Sequence, residues 1–128
     1  MGLTQVTARV RRPDGRGGPA RVRFLVDTGA VYTVLPEAVW KALRLRATSS
    51  AEFELADGTA IARPVSEARF DVRGRAATSP VILGERDDAP LLGAVTLETL
   101  GLMVNPLTRE VVPMGPLPMN RLRAAAPT

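Results

Sequence analysis

The sequence predicts a mainly β fold with one or two short helices, and three observations predict it. Apolar residues alternate with polar ones in short runs, turn residues interrupt those runs about every ten positions, and helical spacing is confined to the segments after Pro36 and before Gly101. The 128 residues, 45% hydrophobic and 23% charged, make one domain with a buried core.

The elements follow in order. Val6, Ala8 and Val10 alternate with Thr7 and Arg9. Pro13-Asp14-Gly15 and Gly17-Gly18-Pro19 then supply a loop, and a strand resumes over 22–26, giving a hairpin. Pro36 suits the first turn of a helix, and 37–43 carries good helix formers with Glu37 and Lys41 at i,i+4. The chain extends again over 51–55, turns at Asp57-Gly58 and returns over 59–65, an arrangement typical of a hairpin. A further strand is expected over 67–72, turning at Gly74, and another over 80–83, followed by a charged loop over 84–90. Thr96 to Leu100 has helical spacing with Gly101 placed to end it. Short closing strands over 103–105 and 110–112 flank the Asn105-Pro106 turn. Strand, loop and short helix occur over 22–43 and again over 80–102, so two related halves packed face to face would form a small closed barrel. Residues 1–113 are assigned to the domain and 114–128, rich in Pro and Ala, to a tail or arm.

Composition excludes much chemistry. With no Cys and no His, thiol nucleophiles, disulfides, Ser-His triads and the usual zinc sites are unavailable. Glu85, Asp87 and Asp88 lack the spacing of a calcium loop and read as a solvated turn, so neither a metal nor a cofactor is expected. The net charge of +4 comes from arginines scattered along the chain, with Lys41 the single lysine, and five aromatics spread apart. That pattern reads as a solvated surface, not a nucleic-acid footprint. No run approaches the roughly 20 apolar residues that cross a bilayer, and the alternating N-terminus does not read as a secretory signal, so no membrane association and a cytoplasmic location are expected.

What remains for catalysis is carboxylates, hydroxyls and basic side chains. Asp27 follows the apolar strand Phe24-Leu25-Val26 and precedes Thr28-Gly29-Ala30. In isolation it is either a turn residue or a deliberately placed charge. Three further features accompany it: a "TVLP" segment with a short helix, an Asp-Gly hairpin at 57–58, and Leu91-Leu92-Gly93 followed by a second helix. In this order, over about residues 5 to 113, the chain resembles the retropepsin-type aspartic proteases, in particular their single-lobe cellular and bacterial members.

The resemblance implies an acid-protease barrel of half-lobe size and half an active site, because such chains supply one Asp each and complete the site at a two-fold axis. One Asp-Thr-Gly is present here. Asp27 would be the catalytic residue of an aspartic endopeptidase, paired with its mate in a homodimer. Thr28, Gly29, Leu92 and Gly93 would support the site. Ala30 and Val31, with the flap tip Ala56, Asp57, Gly58, Thr59 and Ala60, would contact an extended peptide, and Ile61 and Ile82 would add apolar walls. Thr33 would either hydrogen-bond the Asp27 loop or simply face its strand. Retroviral members commonly carry an acidic residue after the Ala and an Arg after the downstream Gly; here those positions are Val31 and Ala94, so the dimer interface must be built differently. The alternative function is a catalytically weak module of the same fold that dimerises or binds peptide.

Overall fold

Val6, Ala8 and Val10 point inward and Gln5, Thr7 and Arg9 outward along β1 (Gln5–Arg11), and Val22 and Phe24 repeat the pattern on β2 (Ala20–Val26). The two pair antiparallel with Val10 opposite Ala20. The computed structural model describes residues 3–116, so most of the expected 114–128 tail lies outside the described residues. Beyond β2 come β3 (Thr33–Leu35), α1 (Glu37–Ala42), β4 (Ser49–Glu54), β5 (Ala60–Val72) and β6 (Arg75–Leu83). β7 (Leu91–Leu92), α2 (Ala94–Thr99), β8 (Leu102–Val104) and β9 (Val111–Pro113) complete the chain order.

One sheet runs β1-β2-β7-β3-β6-β5-β4, and an extra pairing of β1 with β5 at Arg9–Arg11 joins its flanks. The pairings therefore return on themselves, with β4 attached outside the ring. The internal echo has a structural counterpart. β2 of the first half pairs parallel with β7 of the second, and β3 pairs parallel with β6. Inside sit Phe24 and Phe70, both fully buried with ring centroids 6.0 Å apart, packed with Val10, Leu35, Val81, Leu92 and Leu102. Burying side chains of this size contributes about 1.5–3 kcal/mol each, which is why the ring closes around them. β8 and β9 form a separate two-stranded sheet.

Three local readings change. The expected strands 59–65 and 67–72 are one 13-residue strand, β5, because consecutive Val65 and Ser66 are both buried and shift the alternation without breaking the pairing. β6 begins at Arg75, five residues before the expected start, since the small and polar Ala76, Ala77, Thr78 and Ser79 pair with β5 although they look unlike a strand. α2 starts at Ala94, two residues early, and Gly101 lies one residue beyond the cap with φ 69°. α1 matches its expectation closely: Pro36 caps it in extended conformation, and Glu37 pairs with Lys41 at 2.6 Å.

Candidate active site

The last residues of β2 hand Asp27 to solvent on a framework of backbone hydrogen bonds. Leu25 N–H donates to the Pro90 carbonyl at 3.0 Å, Val26 N–H to Thr4 at 2.9 Å, and Asp27 N–H to Leu92 at 3.0 Å. The chain then turns: Ala30 N–H donates to the Asp27 carbonyl at 3.1 Å, and Gly29 N–H donates to Asp27 Oδ1 at 2.9 Å. This is the Asx-type turn that Asp and Gly favour. A Cβ on Gly29 would stand 3.2 Å from the same Oδ1. Asp27, Thr28 and Gly29 are exposed. Among the described residues, Asp27 Oδ2 has no hydrogen-bond partner, so one oxygen is fixed and the other is available.

A second loop locks the first. A helix leaves its first N–H groups without partners inside the helix, and here the Asp27 loop accepts them. Ala94 N–H donates to the Ala30 carbonyl at 2.8 Å and Val95 N–H to Val31 at 3.0 Å, while Gly93 N–H donates to Thr33 Oγ1 at 3.0 Å. This intimacy requires glycine at 93, where a Cβ would lie 2.6 Å from the Tyr32 carbonyl carbon and oxygen. Leu92 is fully buried beneath.

The β4–β5 hairpin projects beyond the ring. β5 pairs with β6 only from Val65 onward, whereas Ala60 to Pro64 pair with β4 alone. Its tip is a three-residue loop: Gly58 N–H donates to Leu55 at 2.9 Å, Leu55 N–H to Thr59 at 2.7 Å, and Gly58 has φ 87°. That is the turn with a left-handed glycine that suits three-residue hairpins. Thr59, through its side chain and then its N–H, holds the Asp57 carboxyl below its ordinary range. Tyr32, from the loop after Asp27, packs edge-on against Phe53 of the hairpin at 5.9 Å. Arg63 forms an ion pair with Glu85. Between hairpin and body lies a groove of about 260 Å³ whose apolar walls are Val34, Phe53, Ile61, Ile82 and Leu91.

The structure thus combines an exposed Asp on an Asp-Thr-Gly turn with a bracing apolar-apolar-Gly loop and a following helix, all set in a closed sheet. The family model described as gag-polyprotein putative aspartyl protease matches residues 16–99, which span the Asp27 turn, the Leu91-Leu92-Gly93 loop and α2. The chain belongs to this retropepsin-like aspartyl protease family. The EIAV protease complexed with the inhibitor HBY-793 has the same fold, with a TM-score of 0.60 at 19% identity over 78% of this chain and 89% of that chain. No curated protein matches the chain in sequence.

Within this retropepsin-like frame, Asp27, Gly29, Ala30, Leu92 and Gly93 come together through the contacts above, and Thr28 lies exposed in the same turn. Ile61 and Ile82 share the apolar groove, while Ala30 and Val31 are not among its walls. Val31 is 58% exposed and Ala30 half-buried. Ala56 to Ala60 are exposed at the hairpin end. Thr33 bonds the second loop, the Leu92-Gly93 side, not Asp27. Sequence reasoning did not single out Thr96, Ser79, Phe53 or Tyr32 as site-bearing. Thr96 Oγ1 lies 2.6 Å from Thr33 Oγ1 and 2.8 Å from Ser79 Oγ, all buried. These positions are far apart in the chain, and no local pattern links them.

Among the described residues no group of His, Cys, Asp and Glu could hold a metal ion, and no helix is long and apolar enough to cross a membrane.

Proposed function

We propose that this chain is half of an aspartic endopeptidase, and that two copies place their Asp27 carboxylates side by side across a two-fold axis. The observation that carries this is the Asp27 carboxylate itself: exposed, one oxygen tied to Gly29, the other without a partner among the described residues, on a loop braced by Leu92 and α2. A single carboxylate cannot deprotonate water and hydrogen-bond the scissile carbonyl as an acid at the same moment. The chain has one Asp-Thr-Gly, so the second carboxylate comes from a second copy, and a two-fold axis makes the contact self-complementary.

Two carboxylates so close share one proton, because ionising both costs too much at short range. The ionised one takes a proton from a water lying between them while the protonated one hydrogen-bonds the peptide carbonyl. Water oxygen adds to the carbonyl carbon as the protonated carboxyl passes its proton to the carbonyl oxygen, giving a neutral tetrahedral diol and a dyad that still holds one proton. On collapse that proton goes to the leaving nitrogen, the C–N bond breaks, and one diol hydroxyl returns its proton to the dyad, which is again singly protonated. Peptide lies extended under the β4–β5 hairpin, held by main-chain hydrogen bonds as an added strand. Thr28 holds the paired loops across the axis. The apolar groove supports cleavage beside hydrophobic residues, and exposed Val31 supports an apolar contact in place of the charged one of retroviral members.

Incubation of the concentrated protein with a peptide library at pH 3 to 8, beside Asp27→Asn and a statine-type transition-state mimic, tests this reading. Cleavage by the wild type that Asp27→Asn abolishes is the expected result. Equal cleavage by both would overturn it. Peptide binding by a dimer with no cleavage would identify a binding module of the same fold.

A further inference from the structure

Arginines that are scattered in the sequence gather in the fold. Arg12, Arg16, Arg44 and Arg46 line a single cleft of about 570 Å³ between the β1–β2 loop and the C-terminal end of α1, together with Gly17 and Gly18, and no carboxylate lines it. Arg12 is spent on architecture. Its Nε and Nη2 donate to Asp14 at 3.0 and 2.7 Å, and its Nη1 donates to the Arg44 and Leu43 carbonyls at 2.5 and 3.4 Å. It thereby covers carbonyls at the helix end and ties the two walls together. Arg16, Arg44 and Arg46 form no ion pair among the described residues. Asp14, the carboxylate beside the cleft, is shared by Arg12 and Arg16, so the four lining arginines leave an excess of positive potential focused into the concavity.

Arg44 adds an independent observation. Arg44 N–H donates to Lys41 and Leu45 N–H to Trp40, each at 3.0 Å, which is the Schellman ending of a helix. The left-handed position of that motif favours glycine, yet Arg44 occupies it with φ 58°. Arg73 and Arg109 adopt the same backbone outside the cleft; at position 44 its effect is to place a guanidinium-bearing residue at the cleft wall where the helix ending would accept glycine. Arginine forks match the oxygen geometry of phosphoryl groups, and the cleft holds far more than one tetrahedral anion. Gly17 and Gly18 put backbone without side chains on the opposite wall, where N–H groups can donate as well. The cleft lies at the end of the β1–β2 hairpin away from Asp27, roughly 20 Å along β2 at about 3.3 Å per residue.

We propose that this cleft binds an oligophosphate, two or more linked phosphoryl groups, at a site separate from Asp27. Calorimetric titration of the full chain with sodium tripolyphosphate, and in parallel with orthophosphate and a single-stranded oligonucleotide, tests it. Tripolyphosphate is expected to bind more tightly than orthophosphate, weakening as salt rises from about 50 to 200 mM. Arg44→Gly should lower its affinity about tenfold, the scale of one charge-assisted hydrogen bond, while leaving the thermal midpoint unchanged or higher because glycine suits the position. Arg16→Gln should weaken binding similarly, and Arg86→Gln, outside the cleft, should not. Absence of tripolyphosphate binding, or equal losses in the Arg44 and Arg86 variants, would overturn the proposal. Tighter binding of the oligonucleotide would overturn it in favour of a nucleic-acid surface.

Discussion

The Thr33 hydroxyl lies 2.6 Å from the Thr96 hydroxyl in the buried space between the two loops that carry the candidate site. Ser79 gives its hydrogen to the Pro80 carbonyl, so it accepts from Thr96, which in turn accepts from Thr33. Thr33 is left to accept Gly93 N–H. Every hydroxyl donates once, and the relay ends on the glycine beside the Asp27 loop.

Thr33→Val keeps the shape and removes the acceptor, leaving Gly93 N–H and Thr96 without their partner. We expect a loss of about 1–3 kcal/mol in urea unfolding. Thr33→Val with Thr96→Val should cost less than the sum of the two single changes, because both break the same contact. Strict additivity would show that the two hydroxyls act independently.

Gly93→Ala pushes a methyl group into the Tyr32 backbone, at 2.6 Å, where no side chain can yield. The two loops must separate. A destabilisation of about 1–3 kcal/mol or more is expected from overpacking, with any peptidase activity falling further than stability alone explains. A Gly93→Ala protein as stable as the parent would show that the loops are not held this closely.

Much of this arrangement is legible in the sequence, for reasons that are local. Alternation at Val6, Ala8 and Val10, the Asp57-Gly58 turn, and the apolar run into Asp27 each encode their structure within a few residues. The two glycines at 93 and 101 likewise sit where close approach or a left-handed backbone demands them. What was hidden depends on long-range pairing. The Arg75–Ser79 stretch is a strand because β5 accepts it. The Thr33, Ser79 and Thr96 relay is assembled by three separate elements, and the arginine cleft joins residues near 12–18 to residues near 42–46. Periodicity carries no information about such meetings.

The edge-on contact of Tyr32 with Phe53 is an aromatic bridge from the Asp27 side of the molecule to the projecting hairpin. Such pairs contribute about 0.5–1.5 kcal/mol beyond area burial. Phe53→Ala should therefore loosen residues 49–64 selectively. Amide hydrogen exchange in that hairpin is expected to speed up roughly three- to tenfold, while β1 and β6 exchange as before. Uniform acceleration across the sheet would mean that Phe53 supports the whole fold instead.

The Arg12 guanidinium, and after it the Arg16 N–H, hold the Asp14 carboxyl down at about 2 from 3.8. A depressed folded-state pKa stabilises above the unfolded value, and that contribution disappears as pH falls from about 4 toward 2. Asp14 is exposed, so its share of stability is small and screened. Carbon-detected NMR titration should place the Asp14 midpoint near 2, and Arg12→Gln should raise it toward the ordinary value. A midpoint at 3.8 in the parent protein would show that the pair does not persist in solution.

Subunit mixing tests the shared site most directly. Wild type and Asp27→Asn are combined in varying proportions at constant total concentration, allowed to exchange, and assayed for peptide cleavage. If activity needs one intact Asp27 from each copy, it falls as the square of the wild-type fraction, to about one quarter in an equal mixture, as random two-fold pairing requires. A linear fall, to about one half, would mean that one chain carries a complete site and would contradict the account.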